Sequence, residues 1–174
     1  MRRIISILTV AVMVLLSAGT TVLSGAAEGE LTLKEGSKLV LDRETGYIRK
    51  IDGPQTAESL TKQFAGNIEI KRGEKKLEGK DAVATDDEVS CGDDKLKALI
   101  YGDVDRDGRI DTVDVIQLMK YKAGWSGIEI SEEAADVNDD GAAGTDDIIM
   151  LMKYNAGWNV SLGNVRMTVD TGVQ

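Results

Sequence analysis

Beyond residue 30, apolar and polar residues alternate in short runs at the two-residue period of a strand with one buried face. LTLKEGSKLVLD places Leu31, Leu33, Leu39 and Leu41 in this rhythm, YIRKI and NIEIKRG continue it, and DDEVSC and KLKALI close it. One interruption, TAESLTKQFAG, predicts a helix over 57–65 with Thr56 as its cap and Gly66 as its stop. Past residue 110 the period becomes helical. Two helices are predicted, over 112–123 and 145–156, ended by Gly124 and Gly157, and SEEAAD adds a short turn capped by Ser131. The pattern predicts an α+β chain: a small β-rich α+β module over 31–100, an all-α segment over 101–160 and a tail over 161–174.

Ahead of these lies a segment of another kind. Met1, Arg2 and Arg3 precede the almost wholly apolar residues 4–18 and then the small residues Ser24, Gly25, Ala26 and Ala27. This is the order of a secretory signal peptide over 1–26, cut after Ala26. The competing reading is an uncleaved anchor, because residues 4–23 reach the length of about 20 that a bilayer span requires. Cys91, placed on a strand by its neighbours, is the one thiol, so a small exported domain must be stabilised by something other than an intramolecular disulfide.

Charge changes the picture of the helical half. The formal net charge is −9, and ten of the 30 acidic residues sit in two runs, 103–114 and 136–147, while the others nearly balance the 21 lysines and arginines. The acidity is local, which argues against a solvated acidic tail and gives no basis for nucleic-acid binding. The two runs are copies. A shift of 33 residues lays ADVNDDGAAGTDDI under GDVDRDGRIDTVDV, and Leu118, Met119, Lys120, Tyr121 and Trp125 recur as Leu151, Met152, Lys153, Tyr154 and Trp158. Two copies fall short of a solenoid and predict a packed pair. Trp125 and Trp158, each following a helix-ending glycine, are expected to clasp that pair by packing across it.

A hard divalent cation takes six to eight oxygens, and a twelve-residue loop wraps one with side chains at positions 1, 3, 5, 9 and 12 and a carbonyl at 7. In the first run those positions hold Asp103, Asp105, Asp107, Asp111 and Asp114, with the Arg109 carbonyl, and Gly108 allows the sharp turn. In the second they hold Asp136, Asn138, Asp140 and Asp147, with the Ala142 carbonyl. Gly144 at position 9 has no side chain, so water fills that corner. Two calcium ions are expected, the second held more weakly. Plain Asp-Gly turns would not repeat in register, each before the same apolar helix. Paired carboxylates also serve as acid and base, but here they are taken up as ligands. The chain has no histidine, which removes His-based triads and His-ligated zinc from consideration.

A loop with an exiting helix only, Asp at position 12, the duplication and the leading GDV resemble a type I dockerin over 101–160. The resemblance implies a non-catalytic module that binds a cohesin domain and tethers a secreted protein to a cellulosome-like scaffold or cell surface, in a polysaccharide-degrading setting. It implies a partner face at loop positions 10 and 11 and helix positions 17 and 18. These are Thr112, Val113, Met119 and Lys120 in one copy, and Thr145, Asp146, Met152 and Lys153 in the other. Val113 against Asp146 breaks the symmetry between the two faces. Along the first helix Val115, Ile116, Leu118, Met119 and Tyr121 cover more of the circumference than one core face requires, which leaves apolar surface for a partner.

The preceding module resembles, in layout, small domains found before dockerins. Residues 31–100 are far short of the roughly 250 of a hydrolase barrel, so an adhesive, substrate-binding or spacer role is expected rather than an enzyme. The alternative is a stand-alone calcium-stabilised surface protein that meets no cohesin. Because calcium binding free energy becomes folding free energy, chelation is expected to unfold 101–160 and leave 31–100 mostly folded. An unchanged helical circular dichroism signal after chelation would contradict this.

Overall fold

The computed structural model describes residues 29–163, so the candidate signal segment 1–26 and most of the tail 161–174 lie outside the described residues. Strands come first and helices last, an α+β order. The β-rich part holds β1 (Val40–Asp42), β2 (Tyr47–Arg49), β3 (Gln55–Thr56), α1 (Ala57–Thr61), β4 (Glu69–Arg72), β5 (Lys75–Lys76), β6 (Ala82–Val83), β7 (Glu88–Cys91) and β8 (Asp94–Ala98). The helical part holds α2 (Thr112–Lys122), α3 (Glu132–Ala135) and α4 (Thr145–Asn155).

Six strands form one sheet in the order β1-β2-β8-β7-β4-β5, and β3 pairs with β6. β8 is central, antiparallel to β7 with Val89 opposite Leu96, and parallel to β2 with Ile48 opposite Ala98. The alternation seen in the sequence puts Ile48, Ile70, Val89, Leu96 and Ala98 on one face, where they meet Leu31, Leu60 and Phe64. The other face carries surface pairs such as Lys71–Glu69 and Lys95–Glu88.

Two expectations need correction here. The stretch around Leu31 and Leu33 forms no regular strand. It runs beside the end of α1, with Lys34 N–H donating to the Gln63 carbonyl at 2.8 Å, Ala65 N–H to Thr32 at 2.9 Å, and one bridge between Leu33 and Phe64. Helix α1 ends at Thr61 rather than Ala65, although Thr56 and Ser59 form the capping box at its start. The chain leaves the helical path so that Phe64, 1% exposed, enters the core. β3, β5 and β6 escape sequence reading because two residues carry no period.

The helices α2 and α4 pack around Val115, Leu118 and Leu151, with Val104, Ala134, Ala135 and Val137 from the segments before them. Both end in the same way. Gly124 N–H donates to the Tyr121 carbonyl and Trp125 N–H to Lys120, at 2.9 and 3.1 Å, and Gly157 and Trp158 repeat this on Tyr154 and Lys153. Ser131 caps α3 through the Ala134 amide. At the end of the described chain Leu162 packs on this core and Gly163 N–H donates to the Val137 carbonyl at 2.8 Å.

The two cores meet. Leu99 belongs to the helical core, Ile100 to the sheet core, and Ile110 in the first acidic loop packs against both. Leu118 has no exposed surface, so Leu118→Ala should cost about 2–5 kcal/mol of stability, read from urea midpoints of the calcium-loaded chain. Ile116→Ala, on the exposed side of the same helix, should cost within about 0.5 kcal/mol. Equal midpoints would contradict this packing of α2.

Candidate functional site

The acidic runs fold as loops that turn carboxylates inward onto backbone amides. Asp103 has no exposed surface; its Oδ1 accepts from Gly108 N–H at 3.1 Å and its Oδ2 from Thr85 N–H at 2.7 Å. Asp114, 1% exposed on the first turn of α2, reaches back over the loop. Its Oδ1 accepts from Val104 and Asp105 N–H at 2.7 and 3.2 Å, and its Oδ2 from Asp111 N–H at 2.8 Å. Oxygens of Asp103, Asp105 and Asp114 lie within 4.8 Å of one another. Asp107 and Asp111 stand outside that cluster. Asp107 Oδ1 accepts from Arg109 N–H at 2.8 Å, and Asp111 Oδ1 caps α2 by accepting from Val113 N–H at 2.7 Å.

Burial sets the electrostatics of the cluster. It pushes the Asp103 carboxyl up against the pull of the Thr85 and Gly108 amides, pushes Asp105 up with the charge of Asp107 adding to it, and pushes Asp114 up to about 6 despite three amide donors. Among the described residues no lysine or arginine forms an ion pair with any of the three. Dehydrated carboxylates with converging oxygens and no ion-pair partner among the described residues make a donor set suited to a hard divalent cation.

The second loop repeats the frame with one charge fewer in its centre. Asp136 accepts from Asp140 and Gly141 N–H at 2.9 and 2.7 Å, and Asp147 from Asn138 and Gly144 N–H at 3.0 and 2.6 Å. Ala142 N–H donates to Asp140 at 3.1 Å. Asn138 stands where the first loop has Asp105, and its amide nitrogen donates to Asp140 and Asp146 at 3.1 and 2.6 Å. Burial pushes the Asp147 carboxyl up, against the amides of Gly144 and Asn138.

Outside the loops, α2 and α4 each present an open face. Thr112, Val113 and Met119 are exposed and Lys120 half-buried; Thr145, Asp146, Met152 and Lys153 are all exposed. Ile116 and Ile149, 43% and 49% exposed, extend these faces. Sequence reading left them out of the partner face, although they lie three residues after Val113 and Asp146 and so on the same side of each helix. The expected tryptophan clasp is corrected. Trp125 and Trp158 are 62% and 63% exposed and stand outside the helical core, and the Lys120 and Lys153 ammonium groups each sit 5.8 Å from an indole ring. Loop position 4 makes contacts that the loop spacing does not signal. Arg106 donates to Asp86 at 2.7 Å, and Asp139 accepts from Arg49 and Tyr101 at 3.3 and 3.2 Å, so both loops are tied to the β-rich module.

Residues 101–154 match the family model of the dockerin type I domain. The chain carries a type I dockerin. No curated protein and no solved structure matches the chain. A dockerin is a calcium-dependent interaction domain whose partner is a cohesin, and the oxygen donors of the first loop fit a calcium ion. Among the described residues no helix is long and apolar enough to cross a membrane.

The raised Asp114 carboxyl gives the dockerin opposite pH responses with and without calcium. Its folded value of about 6 lies above the usual 3.8, so the metal-free fold takes up the proton first. That contribution to stability is fully present below about 3.8 and is lost as pH rises through about 6. Calcium needs the ionised form, so in its presence acidification should destabilise instead. Thermal melts of the chain between pH 4.5 and 7.5, metal-free and with excess calcium, should slope in opposite directions below pH 6; parallel slopes would contradict the assignment.

Proposed function

We propose that this chain is a secreted, non-enzymatic docking protein whose dockerin, loaded with two calcium ions, binds a cohesin domain of a cellulosome-like or cell-surface scaffold in a polysaccharide-degrading setting. The observation that carries the reading is the duplicated loop whose position-12 carboxylate folds back onto the amides that open the loop, in both copies, beside an exposed apolar helix face. Asp103, Asp105, Asp107, Asp111, Asp114 and the Arg109 carbonyl would hold the first ion. Asp136, Asn138, Asp140, Asp147 and the Ala142 carbonyl would hold the second, with water beside Gly144. Bound calcium supplies the positive charge that offsets the repulsion among these carboxylates. The rest is done by the chain: Asp114 and Asp147 join each loop to the first turn of its helix, so ordering the loop orients the helix face.

The docking face centres on Val113, Ile116 and Met119 on α2, or Ile149 and Met152 on α4, flanked by Lys120 or Lys153. Burying one such side chain is worth about 1.5–3 kcal/mol, enough for a tenfold or larger change in affinity. The two faces differ by Val113 against Asp146, so they should prefer different cohesins. The β-rich module is the adhesive, substrate-binding or spacer unit carried to the docking point.

Immobilised cohesin domains should retain the full chain in calcium and release it in chelator. Aspartate at Met119 and Lys120 together, or at Met152 and Lys153 together, should weaken retention at least about tenfold for whichever face docks. A chain that loads calcium yet is retained by no cohesin in a broad panel would favour the stand-alone surface protein.

A further inference from the structure

The first loop is not closed by its own residues alone. In the second loop Asp136 takes both of its side-chain hydrogen bonds from amides of the same loop, Asp140 and Gly141. In the first loop Asp103 takes one from Gly108 and the other from Thr85, a residue of the β-rich module eighteen positions earlier. Thr85 is 2% exposed and is held in turn: its hydroxyl donates to the Ile100 carbonyl at 3.1 Å and accepts from the Ile100 amide at 3.2 Å. The turn that carries it, 84–87, is fixed by Asp87, which accepts Ala84 N–H at 2.7 Å and two Arg72 donors at 2.8 Å each. Gly108 completes the seal. A Cβ at this position would lie 2.7 Å from the Val83 carbonyl oxygen, whereas a Cβ at Gly141, the same position of the second loop, would meet nothing within 4 Å.

Resting on the calcium reading above, we propose that the first calcium site is a composite one: the 84–87 turn of the β-rich module, through the Thr85 amide on Asp103, is part of the site, while the second site is built from its own loop. Thr85 is a positioning residue. It orients a buried carboxylate that would ligate the ion, as the groups behind metal ligands commonly do. Arg106 reinforces the arrangement from loop position 4 by donating to Asp86 in the same turn and to the Ile130 carbonyl beyond it. Calcium loading of the first loop and order in the turn are then one equilibrium, so the module cannot be indifferent to chelation as its separate strand pattern suggests.

Hydrogen exchange of the full chain, followed by mass spectrometry across a calcium chloride titration, tests this. Amides of 84–87 should gain protection with the same midpoint as 104–111, not that of 137–144. Gly108→Ala and Arg106→Ala should each shift the first-loop midpoint to higher calcium, by no more than the about 10- to 100-fold that loss of a group directly behind a metal ligand gives, and the 84–87 midpoint should move with it. Gly141→Ala imposes the same left-handed backbone on alanine, since both glycines have a positive φ, of +87° and +98°, and should move the second loop only. Should Gly108→Ala not fold, Arg106→Ala carries the test, because it alters neither a ligand nor a glycine. Protection of 84–87 that ignores calcium, or follows the second loop, overturns the composite site and leaves the calcium reading standing. Loops that gain no protection from calcium overturn both.

Discussion

Carboxylates buried without an ion pair are the constraint that the rest of this structure answers to. Asp103 and Asp114 have lost nearly all contact with water, and amide donors recover part of their hydration but none of their charge balance. In isolation such a loop would open, because separating and rehydrating the charges is cheaper than holding them together. A divalent cation reverses that preference. The fold of the dockerin is therefore conditional: its helices carry apolar faces of ordinary quality, and the loops that set their angle hold their shape to the extent that the charge is met.

The two repeats share a loop frame and a helix pattern but have unequal surroundings. Both use a position-12 aspartate to bind the start of the loop to the first turn of the helix. The first loop lies against β6 and the turn 84–87 and shares Ile110 with both cores, whereas the second touches the β-rich module through the link of Asp139 to Arg49. The links at loop position 4 have opposite polarity, Arg106 to Asp86 and Asp139 to Arg49. These links add to the Thr85–Asp103 contact in bracing the dockerin against the β-rich module, and the outer faces of α2 and α4 stay open.

Those outer faces hold the apolar surface that neither core takes. Val113, Ile116, Met119, Ile149 and Met152 are all at least 43% exposed, a concentration of large apolar side chains that a solitary domain has no folding reason to keep. The two tryptophans continue it past the helix ends. Each lies beside the lysine whose carbonyl accepts its own amide, so backbone capping and the ring–ammonium contact place charge and indole together.

Whatever repeats or has a period was already fixed by local pattern. The alternation in DDEVSC and KLKALI became β7 and β8, the caps and terminal glycines bounded α2 and α4 to within a residue, and loop spacing identified Asp103, Asp105 and Asp114 as neighbours. These follow from local rules, because a side chain two, four or twelve residues away is placed by the backbone between. Long-range packing settles that Thr85 serves Asp103, that Phe64 ends α1 early, that the tryptophans are exposed and that Ile110 joins two cores. Each depends on which segment arrives from a distance to cover a given side, and neither composition nor spacing records that arrival.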